Sequence, residues 1–211
     1  MTTGYVDGTI KAFLDKLATS SPEPGGGSVA AMTGALGAGL VSMVASLTVG
    51  KEKYAGVQAE IQSLLAASEQ VRSDLQVLVQ RDTEVYGAVA EAMKLPRDTE
   101  QQKAERDATM QVALKEAAKV PLTIAEQSLK VAELSLTGAE IGNVNAVSDA
   151  GVAVLLADAA AQSAALNVKI NVGWIEDQEF NRSTWQRVEE ILAATAGLRE
   201  QVMTLTYEKL G

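Results

Sequence analysis

Apolar positions recur at helical spacing through most of the 211-residue chain. Ile10, Phe13, Leu14 and Leu17 share one side of a first helix from about Val6 to Leu17, which the segment SSPEPGGGS breaks. Val29 to Gly50 carries no charge, and small residues repeat in it at every fourth position, at Ala30, Gly34 and Ala38 and at Ala31, Ala35 and Gly39. Such a stripe lets a neighbouring backbone approach closely, as in the central helix of a bundle. A long run from about Val57 to Leu95 places Ile61, Leu64, Val71, Leu75, Leu78, Val85 and Val89 at helical spacing before Pro96 ends it. Asp98 or Thr99 then caps a charged, solvated helix to Lys119. Pro121 restarts or kinks the chain into another helix to about Leu136, and a turn near Thr137 and Gly138 leads to a small-residue helix from about Ser148 to Val168. An amphipathic helix from about Asp177 to Lys209 closes the series. Neither a repeat period nor a low-complexity linker divides residues 1–211, which read as a single domain.

Composition supports helices over sheets: 47% of residues are hydrophobic but only 4% aromatic. The expected fold is an all-α, single-domain helical bundle around a buried Ala/Gly-rich central helix. Val29 to Gly50 meets the roughly 20-residue length of a membrane span. Its apolar content is diluted by Ala, Gly, Ser and Thr, so a fully enclosed helix and no membrane contact are expected. Helices of this kind bury little apolar area per side chain, which predicts a C₂ homodimer with an interface above roughly 2,000 Å².

The net charge of -9 repels phosphate backbones, so nucleic acid is not an expected partner. Cys 0 and His 0 remove thiolate nucleophiles, the commonest general base and zinc sites of the usual kind. Any proton chemistry falls to Asp, Glu, Lys, Tyr or water, and no metal is expected. The N-terminal stretch MTTGYVDGTIKAFLDKLA lacks a signal-peptide core, which makes a cytoplasmic location the default expectation.

Polar residues placed where the period asks for apolar ones carry the functional signal. Asp82 interrupts the apolar face formed by Leu78, Val79, Val85 and Tyr86, either as half of an ion pair with another helix or as a site carboxylate. Asp149 repeats the anomaly beside Ser148, as a helix cap and dipole partner or as a second site carboxylate. Asn167 and Asn171 lie one turn apart, and Asn143 and Asn145 precede Asp149; such amides cap loops or read the edges of a flat polar ligand. Gly25, Gly26, Gly27 and Ser28 open the charge-free helix, as a turn or as an anion-binding start, and Lys51 stands past its other end.

The runs PEPGGGSVAAMTGALGAGLVSMVASLTVGKEKY, RDTEVYGAVAEAMKLP, GNVNAVSDAGVAVL and SAALNVKIN together resemble the cyclodeaminase/cyclohydrolase family of folate enzymes, in order and over nearly the whole chain. The resemblance implies an all-helical homodimer with a folate in a crevice near the dimer interface. It implies one of two reactions: hydrolysis of 5,10-methenyltetrahydrofolate to 10-formyltetrahydrofolate, or ammonia release from 5-formiminotetrahydrofolate. The SDAGVAVL and SAALNV stretches are similar to stand-alone cyclohydrolases, which favours hydrolysis.

By the same resemblance the catalytic candidates are Asp82, then Asp149, with Lys51, and the substrate-binding candidates are Gly25, Gly26, Gly27, Ser28, Asn143, Ser148, Asn167 and Asn171. The glycine loop is expected to receive a carboxylate of the glutamyl tail. The folate is the substrate, and no separate cofactor is implied. A helical dimer that binds folate without turning it over is the alternative from another class.

Overall fold

The structure, a computed structural model, describes residues 4–211, and the first three residues of the N-terminal stretch read above lie outside it. Six α-helices and two short 3₁₀ turns make up the fold, with no strand among the described residues. They are α1 (Ile10–Leu17), α2 (Gly26–Ser46), α3 (Gln58–Lys94), α4 (Glu100–Ile141), α5 (Val147–Val172) and α6 (Gln178–Leu210). The 3₁₀ turns Glu52–Val57 and Val144–Ala146 precede α3 and α5.

Helix α2 is the axis of the bundle and packs on α3, α4 and α5, while α6 braces α4 and α5 from outside. Ala30, Ala31, Ala35, Ala38 and Gly34 are all buried, as their four-residue spacing requires. Small residues matter most where two backbones meet: a Cβ on Gly37 would lie 3.0 Å from the Ala153 carbonyl oxygen of α5. Helix α2 is nevertheless not fully enclosed. Leu36, Met43 and Leu47 are exposed, and Val152, Leu155, Leu166 and Ile170 of α5 are exposed as well. Both helices are long and apolar enough to cross a membrane, and more than half of each apolar window is buried in the bundle.

The second half of the chain holds fewer breaks than the sequence suggests. Pro121 neither restarts nor ends a helix: α4 runs through it without interruption to Ile141. A proline inside a helix lacks the N–H that would bond to the carbonyl four residues back, here that of Ala117. The side-chain amide of Asn171 on α5 donates to that oxygen at 2.9 Å. Likewise Thr137 and Gly138 remain helical, and the chain turns only at Gly142 and Asn143. Helix α4 opens at Thr99, whose side chain and that of Gln102 form a reciprocal capping box. Asp177 caps α6 by accepting from the backbone N–H groups of Glu179 and Phe180.

Candidate active site

A cleft of about 770 Å³ opens at one end of the bundle, between the start of α2, the second half of α3, the first half of α4 and the end of α5. Asp82, Thr83, Val85, Tyr86, Val89 and Met93 line it from α3. The linker after α5 supplies Trp174 and Glu176, and Gln111 of α4 fastens it. The Gln111 amide donates to the Trp174 carbonyl (3.1 Å), and its oxygen accepts from the Glu176 N–H (2.9 Å).

Asp82 lies half-buried in this cleft and makes no ion pair with any described residue, so a structural salt bridge does not account for it. Among the described residues its hydrogen-bond partner is Ser28, at the start of α2. The Ser28 hydroxyl donates to Oδ2 at 2.9 Å and lies 3.1 Å from the Val79 carbonyl, and the Ser28 backbone N–H also bonds the carboxylate. Burial raises the Asp82 pKa above the ordinary carboxylate value, and the two Ser28 hydrogen bonds offset part of that rise.

The carboxylate has room only because residue 27 is glycine. A Cβ there would collide with Asp82 Oδ1 and come within 2.8 Å of Oδ2. The carboxyl group at the N-terminus of α2 is therefore that of Asp82. Asp82 thus stands where the glycine loop was expected to receive a carboxylate of the ligand, and an ionised Asp82 would repel a second anion there.

Across the cleft, Asn167 packs against Gly26, whose Cβ would stand 3.4 Å from its Nδ2. That nitrogen donates to the Ser163 carbonyl (2.9 Å), which leaves one N–H and the oxygen for a ligand. Asn171 donates to the carbonyls of both Ala117 and Asn167 (2.9 Å each). With both its amide hydrogens engaged, only its oxygen remains.

The other sequence candidates do not reach this cleft. Lys51, Asn143, Ser148 and Asp149 cluster past the C-terminal end of α2, and that helix alone puts about 30 Å between the two groups. Asn143 there is a tie: its backbone N–H donates to Thr48 Oγ1 (2.8 Å), its amide to the Leu47 carbonyl (3.1 Å), and its oxygen accepts from the Asn145 N–H (3.1 Å). Neither Ser148 nor Asp149 caps α5, whose N-cap is Ala146 without a side-chain bond. Asp149 lies in the first turn of α5 and Ser148 is exposed, as is Lys51.

Residues 9–190 match the family model described as formiminotransferase-cyclodeaminase. The chain belongs to that family. Among formiminotransferase-cyclodeaminase relatives, a methenyltetrahydrofolate cyclohydrolase of Methylorubrum extorquens is 44% identical over 202 residues, covering 96% of this chain and 97% of the relative. A formimidoyltransferase-cyclodeaminase of Rattus norvegicus is 32% identical over 187 residues, or 89% of this chain, which spans only 35% of that longer protein. The crystal structure of a formiminotetrahydrofolate cyclodeaminase from Thermotoga maritima superposes with a TM-score of 0.86 at 32% identity, covering 96% of this chain and 98% of the other.

The cleft also holds residues of the family fold that the sequence pattern did not single out as site residues. Arg106, Met110, Gln111 and Leu114 all line it from α4. Their segment reads as a charged, solvated helix, but the spacing of Arg106, Met110, Leu114 and Ala117 on one side was the available signal.

Proposed function

We propose that this protein hydrolyses 5,10-methenyltetrahydrofolate to 10-formyltetrahydrofolate. The observation that carries the reading is Asp82: a half-buried carboxylate without a cationic partner, in a largely apolar cleft of about 770 Å³. The methenyl carbon between the two folate nitrogens carries positive charge, so the substrate supplies the cation that the protein omits. The full-length similarity to a relative named methenyltetrahydrofolate cyclohydrolase supports hydrolysis as the reaction.

In this mechanism a water oxygen bonds to the methenyl carbon while Asp82 takes one of its protons. The bond from that carbon to N5 then breaks and N5 keeps the electron pair. Asp82 returns the proton to N5, and the remaining hydroxyl proton leaves to solvent as the formyl group forms. The raised pKa of Asp82 suits both halves of this exchange, since the group must accept a proton and then release it. Asn167 and Asn171 present amide groups to the edge of the pterin.

Formiminotetrahydrofolate cyclodeamination is the second reading, favoured by the name of the solved relative that matches this chain end to end. There the protonated form of Asp82 would assist departure of ammonia. Incubating the purified protein with each substrate separately decides the reaction. Loss of the methenyl absorbance with formation of 10-formyltetrahydrofolate is expected, whereas ammonia release from 5-formiminotetrahydrofolate alone would select the second reading. Folate binding without either turnover would indicate a binding module.

We further propose that the working unit is a homodimer. Exposed apolar residues recur along α2 and α5 as an interrupted stripe, with Leu36 at 57%, Leu166 at 69% and Ile170 at 65% exposure. The stripe connects the Asp82 end of the bundle to the Lys51 and Asp149 end. A second copy packed antiparallel over it would cover the stripe and bring Asp149 and Lys51 of one protomer to the cleft of the other.

A further inference from the structure

Among the described residues Arg106 is the one arginine or lysine lining the cleft, and its hydrogen bonding is incomplete. Its Nε is buried and has no hydrogen-bond partner among the described residues. Its one ion pair among the described residues is long, 3.4 Å from Nη1 to the exposed carboxylate of its neighbour Asp107. Its side chain is 23% exposed, although arginine at a helix surface normally lies in solvent. Glu23 and Glu176 line the same cleft, yet neither bonds to it. A guanidinium held this way keeps a planar face of donors for an acceptor that comes from outside the chain.

Its position suits one end of an elongated ligand. Helices α3 and α4 flank the cleft side by side, and Asp82 and Ala117 lie at one end of it while Met93 and Arg106 lie at the other. The rise of α4 from Arg106 to Ala117 is about 16 Å, as is that of α3 from Asp82 to Met93. The walls between are largely apolar, formed by Val85, Val89, Met110 and Leu114. The cleft thus offers an anion, an apolar channel and a cation in sequence. It complements a ligand that is cationic at one end, aromatic in the middle and anionic at the other.

We propose that Arg106 binds the carboxylate of the glutamyl tail and so selects folates by their anionic end, an inference that rests on the folate reading of the cleft. At the start of α2 the Ser28 hydroxyl and N–H are already engaged by Asp82. Further glutamates would extend past Arg106 into solvent.

The test uses p-aminobenzoylglutamate, which carries the tail without the reacting carbon, and 4-aminobenzamide, which lacks the carboxylates. Binding is followed by calorimetry and by the fluorescence of Trp174 in the cleft wall. R106Q is expected to weaken p-aminobenzoylglutamate by about tenfold or more, the usual scale for a lost charge-assisted bond, and to leave 4-aminobenzamide unchanged. R106K should recover part of the affinity, since ammonium supplies the charge without the planar fork. With 5,10-methenyltetrahydrofolate as substrate, R106Q should raise KM by a similar factor and leave kcat nearly unchanged.

Equal p-aminobenzoylglutamate binding by wild type and R106Q would overturn the assignment, as would an equal loss of both ligands or no binding by wild type. Arg106-dependent binding of the tail by a protein that turns over neither folate would uphold the assignment while removing the proposed reaction. Turnover that is indifferent to R106Q would do the reverse.

Discussion

Asn171 completes the hydrogen bond that Pro121 cannot make. The proline leaves the Ala117 carbonyl without its helical donor, and the Asn171 amide supplies one from the neighbouring helix, 2.9 Å away. A buried carbonyl left open costs about 1–3 kcal/mol, so N171A should lower stability by that order. In a P121A background the alanine N–H restores the helical bond, and the same substitution should cost less than about 1 kcal/mol. Urea unfolding of the four proteins gives the coupling directly. Equal costs in both backgrounds would show that Asn171 stabilises the fold by other means.

Replacing Asp82 with Asn should reduce turnover by about a hundredfold or more, the scale of a lost general base. The same variant tests the raised pKa. Because the folded pKa lies above the unfolded one, the folded state binds more protons between the two values. Stability contributed by Asp82 is therefore fully present below the unfolded pKa and lost as pH rises through the folded one. Wild type should lose stability relative to D82N across that window, which opens near the ordinary carboxylate value of about 3.9. Parallel urea midpoints for the two proteins at every pH would contradict the shift.

Ser28 should govern the acid limb of activity. Its hydroxyl favours the ionised form of Asp82, so S28A should raise the Asp82 pKa further and move the acid limb of kcat/KM to higher pH. A lower kcat/KM with an unmoved limb would assign Ser28 to substrate contact instead.

Introducing a single methyl group at Gly27 should abolish turnover by displacing the carboxylate. Alanine is favoured over glycine inside a helix by about 1 kcal/mol, so the collision decides the sign of the stability change. When Asp82 is also truncated, in G27A/D82A, the clash is gone and stability should recover above that of G27A. Full activity in G27A would mean that the carboxylate functions from another position.

If a dimer completes the site, two inactive variants should complement each other. Random pairing of D82N with D149N makes half of the dimers mixed, each with one intact composite site, so about a quarter of wild-type activity should return on mixing. Sedimentation at assay concentration should show dimers that L36E/L166E converts to monomers. Activity that stays absent on mixing, although exchange is confirmed, would confine catalysis to one protomer.

Helical spacing made most of this fold legible. The limits of α3 and α6, the Thr99 cap and the buried faces of α2 all follow from local pattern and capping chemistry. What local pattern did not reveal depends on contacts distant in sequence. Pro121 reads as a break because the donor that rescues its helix is fifty residues away, on α5. Arg106 reads as solvated because its segment is rich in charge, and the weak apolar spacing beside it gains meaning only once α4 packs against α3. Asp82 and Asp149 look alike in sequence, yet α2 holds them at opposite ends of the bundle.

The close fit of Gly27 to Asp82 also constrains how such a chain can diverge. Any L-residue other than glycine at position 27 displaces the carboxylate at 82, whatever its polarity, because the obstruction is the Cβ itself. Drift at the first position thus silences the second without altering it. Two distant letters of the sequence are inherited as one functional unit, and an aspartate at 82 records retained chemistry only when glycine accompanies it at 27.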